Sequence, residues 1–158
     1  MKYEAQLKQA KLDAIENKKW IQKWKKTNHR ELDSLFHRAH DQVFKKIDCL
    51  QCANCCKTTS PIFRDVDIKR ISKRLRIPIS QFIERYLRID EDQDYVLKSS
   101  PCAFLGDDNQ CAIYEDRPLA CREYPHTDRK NMFQILDLTR TNSEICPAVH
   151  EILTQIKR

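Results

Sequence analysis

Apolar and small residues near the start of the chain fall at Tyr3, Leu7, Ala10, Ala14, Ile21 and Trp24, an alternating spacing of four and three interrupted only at Asn17. That spacing predicts a helix over residues 2–26 packed on a partner helix, with Trp20 off the stripe. Leu32, Leu35, Phe36, Ala39, Val43 and Ile47 form a second such face. Asn28 with Glu31 three residues on resembles a capping box that opens this second helix. The two helices are expected to pair antiparallel as a hairpin over residues 1–47 that supports the rest of the chain. From Cys49 the pattern breaks into shorter pieces. Asp65 can cap a helix bearing Ile68, Ile71 and Leu75 and ended by Pro78, and Ser80 can cap one bearing Phe82, Ile83, Tyr86 and Leu87. Residues 90–94 read as a solvated acidic turn, without the central glycine and bidentate glutamate of a calcium loop. Tyr95-Val96-Leu97 and Ala112-Ile113-Tyr114 read as short strands around a turn at Gly106 to Asn109, and Met132 to Leu138 as a further strand. Pro147 at a first helical position opens a last helix with Val149, Ile152, Leu153 and Ile156 on one face.

The fold expected is therefore mostly α with minor β. A helical hairpin over 1–47 accompanies a loop-rich, metal-stabilised cysteine-cluster core over 48–158. With 158 residues and 33% of them charged, the chain is long enough for one ordinary core and too polar for a membrane span. The N-terminal residues carry charges throughout and lack the apolar run of a secretory signal, which predicts a cytoplasmic address. The single glycine, Gly106, excludes the phosphate-binding loops and dinucleotide fingerprints that need several.

Charge changes the picture at one end only. The net charge is +6, and residues 1–26 carry eight lysines against three acids. The remainder is nearly neutral, so no chain-wide field argues for nucleic acid, which is not expected as a partner. The run from Lys18 to Lys26, with Trp20 and Trp24 interleaved, reads first as a solvated lysine face over a buried Trp24. The alternative is a binding arm for nucleic acid or protein, whose salt-sensitive binding falls when Lys18, Lys19, Lys23, Lys25 and Lys26 are neutralised.

The candidate chemistry lies in eight cysteines: Cys49, Cys52, Cys55, Cys56, Cys102, Cys111, Cys121 and Cys146. In a reducing compartment such clusters read as metal ligands rather than disulfides. The first four form C-x2-C-x2-C-C. A two-residue gap lets both thiolates of a tight turn reach one ion at about 2.3 Å. Soft thiolates suit zinc and iron–sulfur clusters alike. Cys49, Cys52 and Cys55 match the first three ligands of a ferredoxin run and Cys146-Pro147 its remote Cys-Pro, but Thr59 stands where the adjacent fourth cysteine would be. Two four-ligand sites would use all eight thiols, and one site with spare cysteines is equally allowed. Cys55 and Cys56 are adjacent, so their side chains diverge by about 100° on a helix. They are expected to serve different centres or to divide between a ligand and a free thiol.

The segments Cys49 to Cys56, Pro101-Cys102-Ala103-Phe104-Leu105, Cys111-Ala112-Ile113-Tyr114 and Arg117-Pro118-Leu119-Ala120-Cys121-Arg122-Glu123-Tyr124-Pro125 resemble the CxxCxxCC cysteine-cluster family, also called the YkgJ-like zinc- or iron-chelating domain. The resemblance runs over about residues 47–150, with Ala103 where the family often has proline and Tyr124 where it often has phenylalanine. It implies metal chelation by the cysteines in a structural or metal-handling role. Some relatives look like flagellin lysine N-methylases, but this chain lacks a glycine-rich cofactor loop and that activity is not carried over. An iron–sulfur redox protein or accessory subunit, with a protein partner, is the alternative. Oligomeric state is not legible.

Around the cysteines, Lys57 and Arg122 are candidates to offset thiolate charge, and Arg117-Pro118 to aim Cys121. His126 and His150 are candidate nitrogen ligands of a mixed site. His29, His37 and His40 are expected to face solvent. No Ser/His/Asp arrangement, paired-carboxylate signature or HExxH helix is present, so no hydrolytic chemistry is indicated.

Overall fold

The computed structural model describes residues 2–27 and 30–158; the expected cap at Asn28 and His29 lie outside the described residues. The chain forms two compact units. Residues 1–52 and 125–158 make the first, and residues 53–124 the second. The fold is mostly α with a two-stranded sheet as its minor β component.

In the first unit the predicted opening helix is two helices, α1 (Glu4–Leu12) and α2 (Ala14–Trp24). Asp13 joins them with φ −83° and ψ −1°, and the Asn17 amide still donates to its carbonyl at 2.8 Å. Tyr3, Leu7, Ala10 and Ile21 of the expected stripe are buried. Asn17, its interruption, is buried as well, and its side-chain oxygen accepts from Lys157 Nζ at 2.7 Å. Trp20 and Trp24 are half-buried with ring centroids 5.0 Å apart, and Lys25 pairs with Asp137 at 2.6 Å.

The second predicted helix is α3 (Leu32–Phe44), burying Leu32, Phe36, Ala39 and Val43. After the short α4 (Cys49–Cys52) and the second unit, the chain returns as a 3₁₀ turn over Met132–Ile135, α9 (Leu136–Ser143) and α10 (Pro147–Lys157). α10 packs on α3, α9 and α1, and α2 packs on α9. The apolar faces of the N-terminal helices are thus buried chiefly on these C-terminal helices, with Ala148, Val149, Ile152 and Leu153 fully enclosed. Residues 132–138, apolar enough to suggest a strand, are helical because Met132 and Leu136 fill this helical core. His37 and His40 are half-buried rather than solvent-facing. His37 Nε2 donates to the Arg129 carbonyl at 2.8 Å, and His40 Nδ1 lies 2.8 Å from Thr127 Oγ1.

The second unit holds α5 (Asn54–Thr58), α6 (Asp65–Leu75), α7 (Ile79–Tyr86), β1 (Leu87–Ile89), β2 (Tyr95–Leu97), a 3₁₀ turn over Tyr114–Asp116, and α8 (Leu119–Glu123). The strands pair antiparallel with Leu87 opposite Leu97 and Ile89 opposite Tyr95. Phe63, Ile68, Ile71, Phe82, Leu87, Leu97, Phe104 and Ile113 form the core, and Cys102 and Cys111 pack against it. Phe82 lies at its centre, 6.2 Å from both Phe63 and Phe104 and 5.3 Å from Tyr86.

Asp65 begins α6, but the N-cap is Arg64 and the capping carboxylate is Asp67, which accepts from the Arg64 amide at 3.0 Å. Residues 112–114 form no strand; a single bridge from Leu105 to Cys111 leads into the 3₁₀ turn. The turn before it forms as expected, with the Gly106 amide donating to the Gln110 carbonyl at 2.8 Å. A Cβ at Gly106 would stand 2.8 Å from Asp108 Oδ1, the oxygen that accepts from the Gln110 amide, which explains a glycine there.

Candidate metal centre

The four-cysteine motif is divided between two short helices. Cys49 and Cys52 open and close α4, three residues apart, so both lie toward one face. Ala53 then takes a left-handed conformation at φ 51°, rare for a residue with a Cβ, and ends α4 before α5 carries Cys55 and Cys56. The boundary between the two units falls at the same point, between Cys52 and Ala53. None of the eight cysteines is in a disulfide.

Two thiol groups result, one in each unit. In the first, Cys146 is buried at the N-terminus of α10, directly before Pro147. Burial pushes its thiol up to about 12. The Val149 backbone N–H opposes this, and the charges of Cys49 and Cys52 add to it. Cys49 is exposed and Cys52 buried.

In the second unit Cys56, Cys102, Cys111 and Cys121 are all half-buried and all feel one another's charge. The Cys102 amide donates to the Cys56 carbonyl at 2.8 Å, tying α5 to the segment after the cis Ser100–Pro101 peptide. Cys121, at the middle of α8, is pushed up to about 12 by burial and then by repulsion from Cys56, Cys102 and Cys111. Cys102 and Cys111 are raised first by burial; the Phe104 and Leu105 amides counter this at Cys102, and the Ile113 amide at Cys111. Cys56 moves the other way, down to about 7. The Cys55 thiol donates to it, burial opposes ionisation, and the Arg117 and Lys57 charges assist it. Cys55 thus acts directly on Cys56, while the charge of Cys56 reaches Cys102, Cys111 and Cys121.

The amides that favour ionised sulfur lie two or three residues after Cys102, Cys111 and Cys146. Backbone N–H groups so placed offset the charge of a bound thiolate. Four soft sulfur donors with such support fit zinc or iron. Among the described residues, no three His, Cys, Asp or Glu side chains meet in metal-coordinating geometry. The thiols are neighbours that would have to draw together on one ion.

Of the residues expected to assist, Lys57 acts on Cys56. Arg122 instead donates from Nε to the Arg117 carbonyl at 3.2 Å and braces the loop. Arg117, expected only to shape a turn, carries the charge that reaches Cys56, Cys111 and Cys121, while its guanidinium lies 3.8 Å over the Tyr114 ring. His150 Nε2 is engaged by Asp13 at 2.8 Å, and His126 occupies a left-handed turn at φ 63°. Sequence reasoning missed a set of charged residues on α6. Asp67, fully enclosed, binds Arg64 and Arg70, and Arg70 and Arg74 reach the segment between Cys111 and Cys121. The only signal for it was the spacing 67, 70, 74 on one helix, which does not reveal the partners 38–52 residues downstream.

No helix among the described residues is long and apolar enough to cross a membrane. An uncharacterised protein of Methanocaldococcus jannaschii is 33% identical over 82 residues, which are 50% of this chain and 44% of that protein, so the chain covers less than half of the relative's length. No solved structure matches the chain. A family model matches residues 48–147, all eight cysteines included, and the chain belongs to the CxxCxxCC family, described as "Putative zinc- or iron-chelating domain".

Proposed function

We propose that the protein is a thiolate metal-binding protein in which Cys56, Cys102, Cys111 and Cys121 together hold one zinc or iron ion, in a structural or metal-handling role. The observation that carries this reading is that the four thiols lie in one compact unit, where the Cys102 amide donates to the Cys56 carbonyl at 2.8 Å and Cys102 and Cys111 pack against the same core. Four thiolates on a divalent ion leave a net charge of −2, which Arg117, Lys57 and the backbone amides oppose. Cys49, Cys52 and Cys146 form a second donor group, and Cys55 modulates Cys56. The metal holds together the short helices and loops of residues 53–124, which contain all four of these thiols. Thiol ligands of this kind persist in a reducing compartment, which favours the cytoplasm.

An iron–sulfur redox role is the second reading. It is supported by the sequence pattern, in which the closely spaced Cys49 and Cys52 and the remote Cys146-Pro147 resemble a ferredoxin-like run, and by the three lying in one unit.

Metal counting on single variants tests the grouping. Cys56→Ser and Cys121→Ser should each lose the same ion and leave any metal at the other group in place. Cys146→Ser should spare the ion lost by those two. Equal loss of all metal in Cys49→Ser, Cys56→Ser and Cys121→Ser would contradict two separate groups.

A further inference from the structure

Between Cys111 and Cys121 runs a segment with a single 3₁₀ turn and no strand. Its own backbone gives it little to hold the two thiols at a fixed separation. What holds it is one face of α6, where residues 67, 70 and 74 stack at helical spacing beside the Ile68 and Ile71 face buried in the core. Arg74 Nη2 donates to the Ala112 carbonyl at 3.2 Å, and Nη1 to Asp116 Oδ2 at 2.9 Å. Arg70 donates from Nη2 to the Asp116 carbonyl at 3.1 Å and the Arg117 carbonyl at 2.9 Å, with Nε 3.2 Å from the same Asp116 oxygen. Asp67 Oδ1 accepts from Arg70 at 2.8 Å and from the Leu119 amide at 3.4 Å. The contacts thus begin one residue after Cys111 and end two residues before Cys121.

We propose that Asp67, Arg70 and Arg74 are positioning residues for the four-thiol centre: they fix the separation and approach of Cys111 and Cys121 by clamping both ends of the segment between them. The proposal rests on the chelation reading above and adds to it a part that no cysteine supplies. Two features make the clamp fit this task. Asp67 is enclosed while Arg70 and Arg74 are 29% and 40% exposed, so the carboxylate is a fixed anchor from which the guanidinium of Arg70 is aimed. Arg70 sets Nε and Nη2 side by side on the Asp116 carbonyl while Nη2 also reaches the Arg117 carbonyl and Asp67, a planar two-nitrogen arrangement that the single ammonium of a lysine lacks. When the thiols gather on an ion and repel one another, this face opposes the opening of the segment.

The test is titration of the full-length protein with Co(II), followed by its absorption spectrum, and with Zn(II) in competition with a chromophoric chelator. Circular dichroism and thermal melts of the metal-free proteins run in parallel. Arg70→Met with Arg74→Met should keep the helical spectrum and bind the same number of ions. Its affinity should fall about 10–100-fold, the range for lost outer-shell partners of metal ligands, and its Co(II) ligand-field bands should shift. Arg70→Lys should recover only part of the affinity. Should the double variant fail to fold, Arg74→Gln alone, which leaves Arg70 and Asp67 in place, should show the same band shift and a smaller loss. A lower melting temperature with wild-type affinity and an unchanged Co(II) spectrum would overturn the positioning role. Wild-type protein that binds neither Co(II) nor Zn(II) would instead remove the chelation reading, and the clamp's role with it.

Discussion

Asp67 shows how a single side chain ties helix formation to the site. It has no exposed surface, and burial by itself would raise its pKa. The side chains of Arg64 and Arg70, with the Arg64 backbone amide, outweigh burial and hold the carboxyl well below the usual carboxylate range. An unperturbed aspartate titrates at about 3.9. Because the folded-state value is the lower one, the stabilisation is complete above that pH and is lost as pH falls through the folded value. Helicity of the second unit should therefore hold from neutral pH down to about pH 5 and decline in more acid solution. Asp67→Asn should remove this part of the acid transition and cost about 2–3 kcal/mol at neutral pH, the scale of hydrogen bonds to a charged group. Denaturant melts of both proteins at several pH values measure it; an acid transition identical in the two would contradict the assignment. The residue types at the site could be read directly from the sequence, eight thiols with Lys57 beside them. The role of Asp67 could not, because an aspartate in the first turn of a helix reads as a capping residue whether or not it also anchors a distant loop.

Among elements, the long amphipathic segments were legible and the short ones were not. Residues 32–44, 65–75 and 147–157 are helical as their periodicity predicts, and 4–24 is helical apart from the break at Asp13, because each has a face wide enough to be buried on a neighbour. β1 escaped notice because Leu87-Arg88-Ile89 continues the apolar spacing of α7 and has only three residues. The segment after Cys111 was read as a strand from Ile113 and Tyr114, yet its backbone partners are the arginines of α6 and only one bridge at Cys111.

The helix α3 shows the same dependence on distant partners. Asp33, His37 and His40 form one row along it and hold the returning segment 127–132. Asp33 accepts the amides of Asn131 and Met132, both at 2.8 Å, and so caps the 3₁₀ turn from another helix. Asp33→Ala should cost about 1–2 kcal/mol, the value of a helix cap, and should speed amide exchange at 131 and 132 more than within α10. Unchanged exchange at those two amides would show that the cap contributes nothing.

On the scale of the whole molecule, charge and thiols are distributed by unit. Residues 53–124 carry equal numbers of acidic and basic side chains, so the net charge of +6 belongs to the unit that contains the N-terminal helices. The cysteines divide across the same boundary, which cuts the four-cysteine motif at Ala53. The sequence presents that motif as one cluster because its members are close along the chain. It conceals that Cys56 neighbours three cysteines from 46 to 65 positions downstream, since nothing in linear spacing records how α6 and α8 return those thiols to it. Family membership points to chelation, and the fold sets which thiols lie in which unit.

The most direct test of the central claim is elemental analysis, with an ultraviolet–visible spectrum, of the full-length protein purified without oxygen and without added metal. At least one equivalent of zinc or iron per chain is expected, retained through desalting and removed by a strong chelator. Colourless protein with zinc would fit a closed thiolate site, whereas brown protein with acid-labile sulfide and a band that bleaches on reduction would select the iron–sulfur reading. Folded protein that carries no metal and takes up neither zinc nor iron when they are supplied would contradict the account.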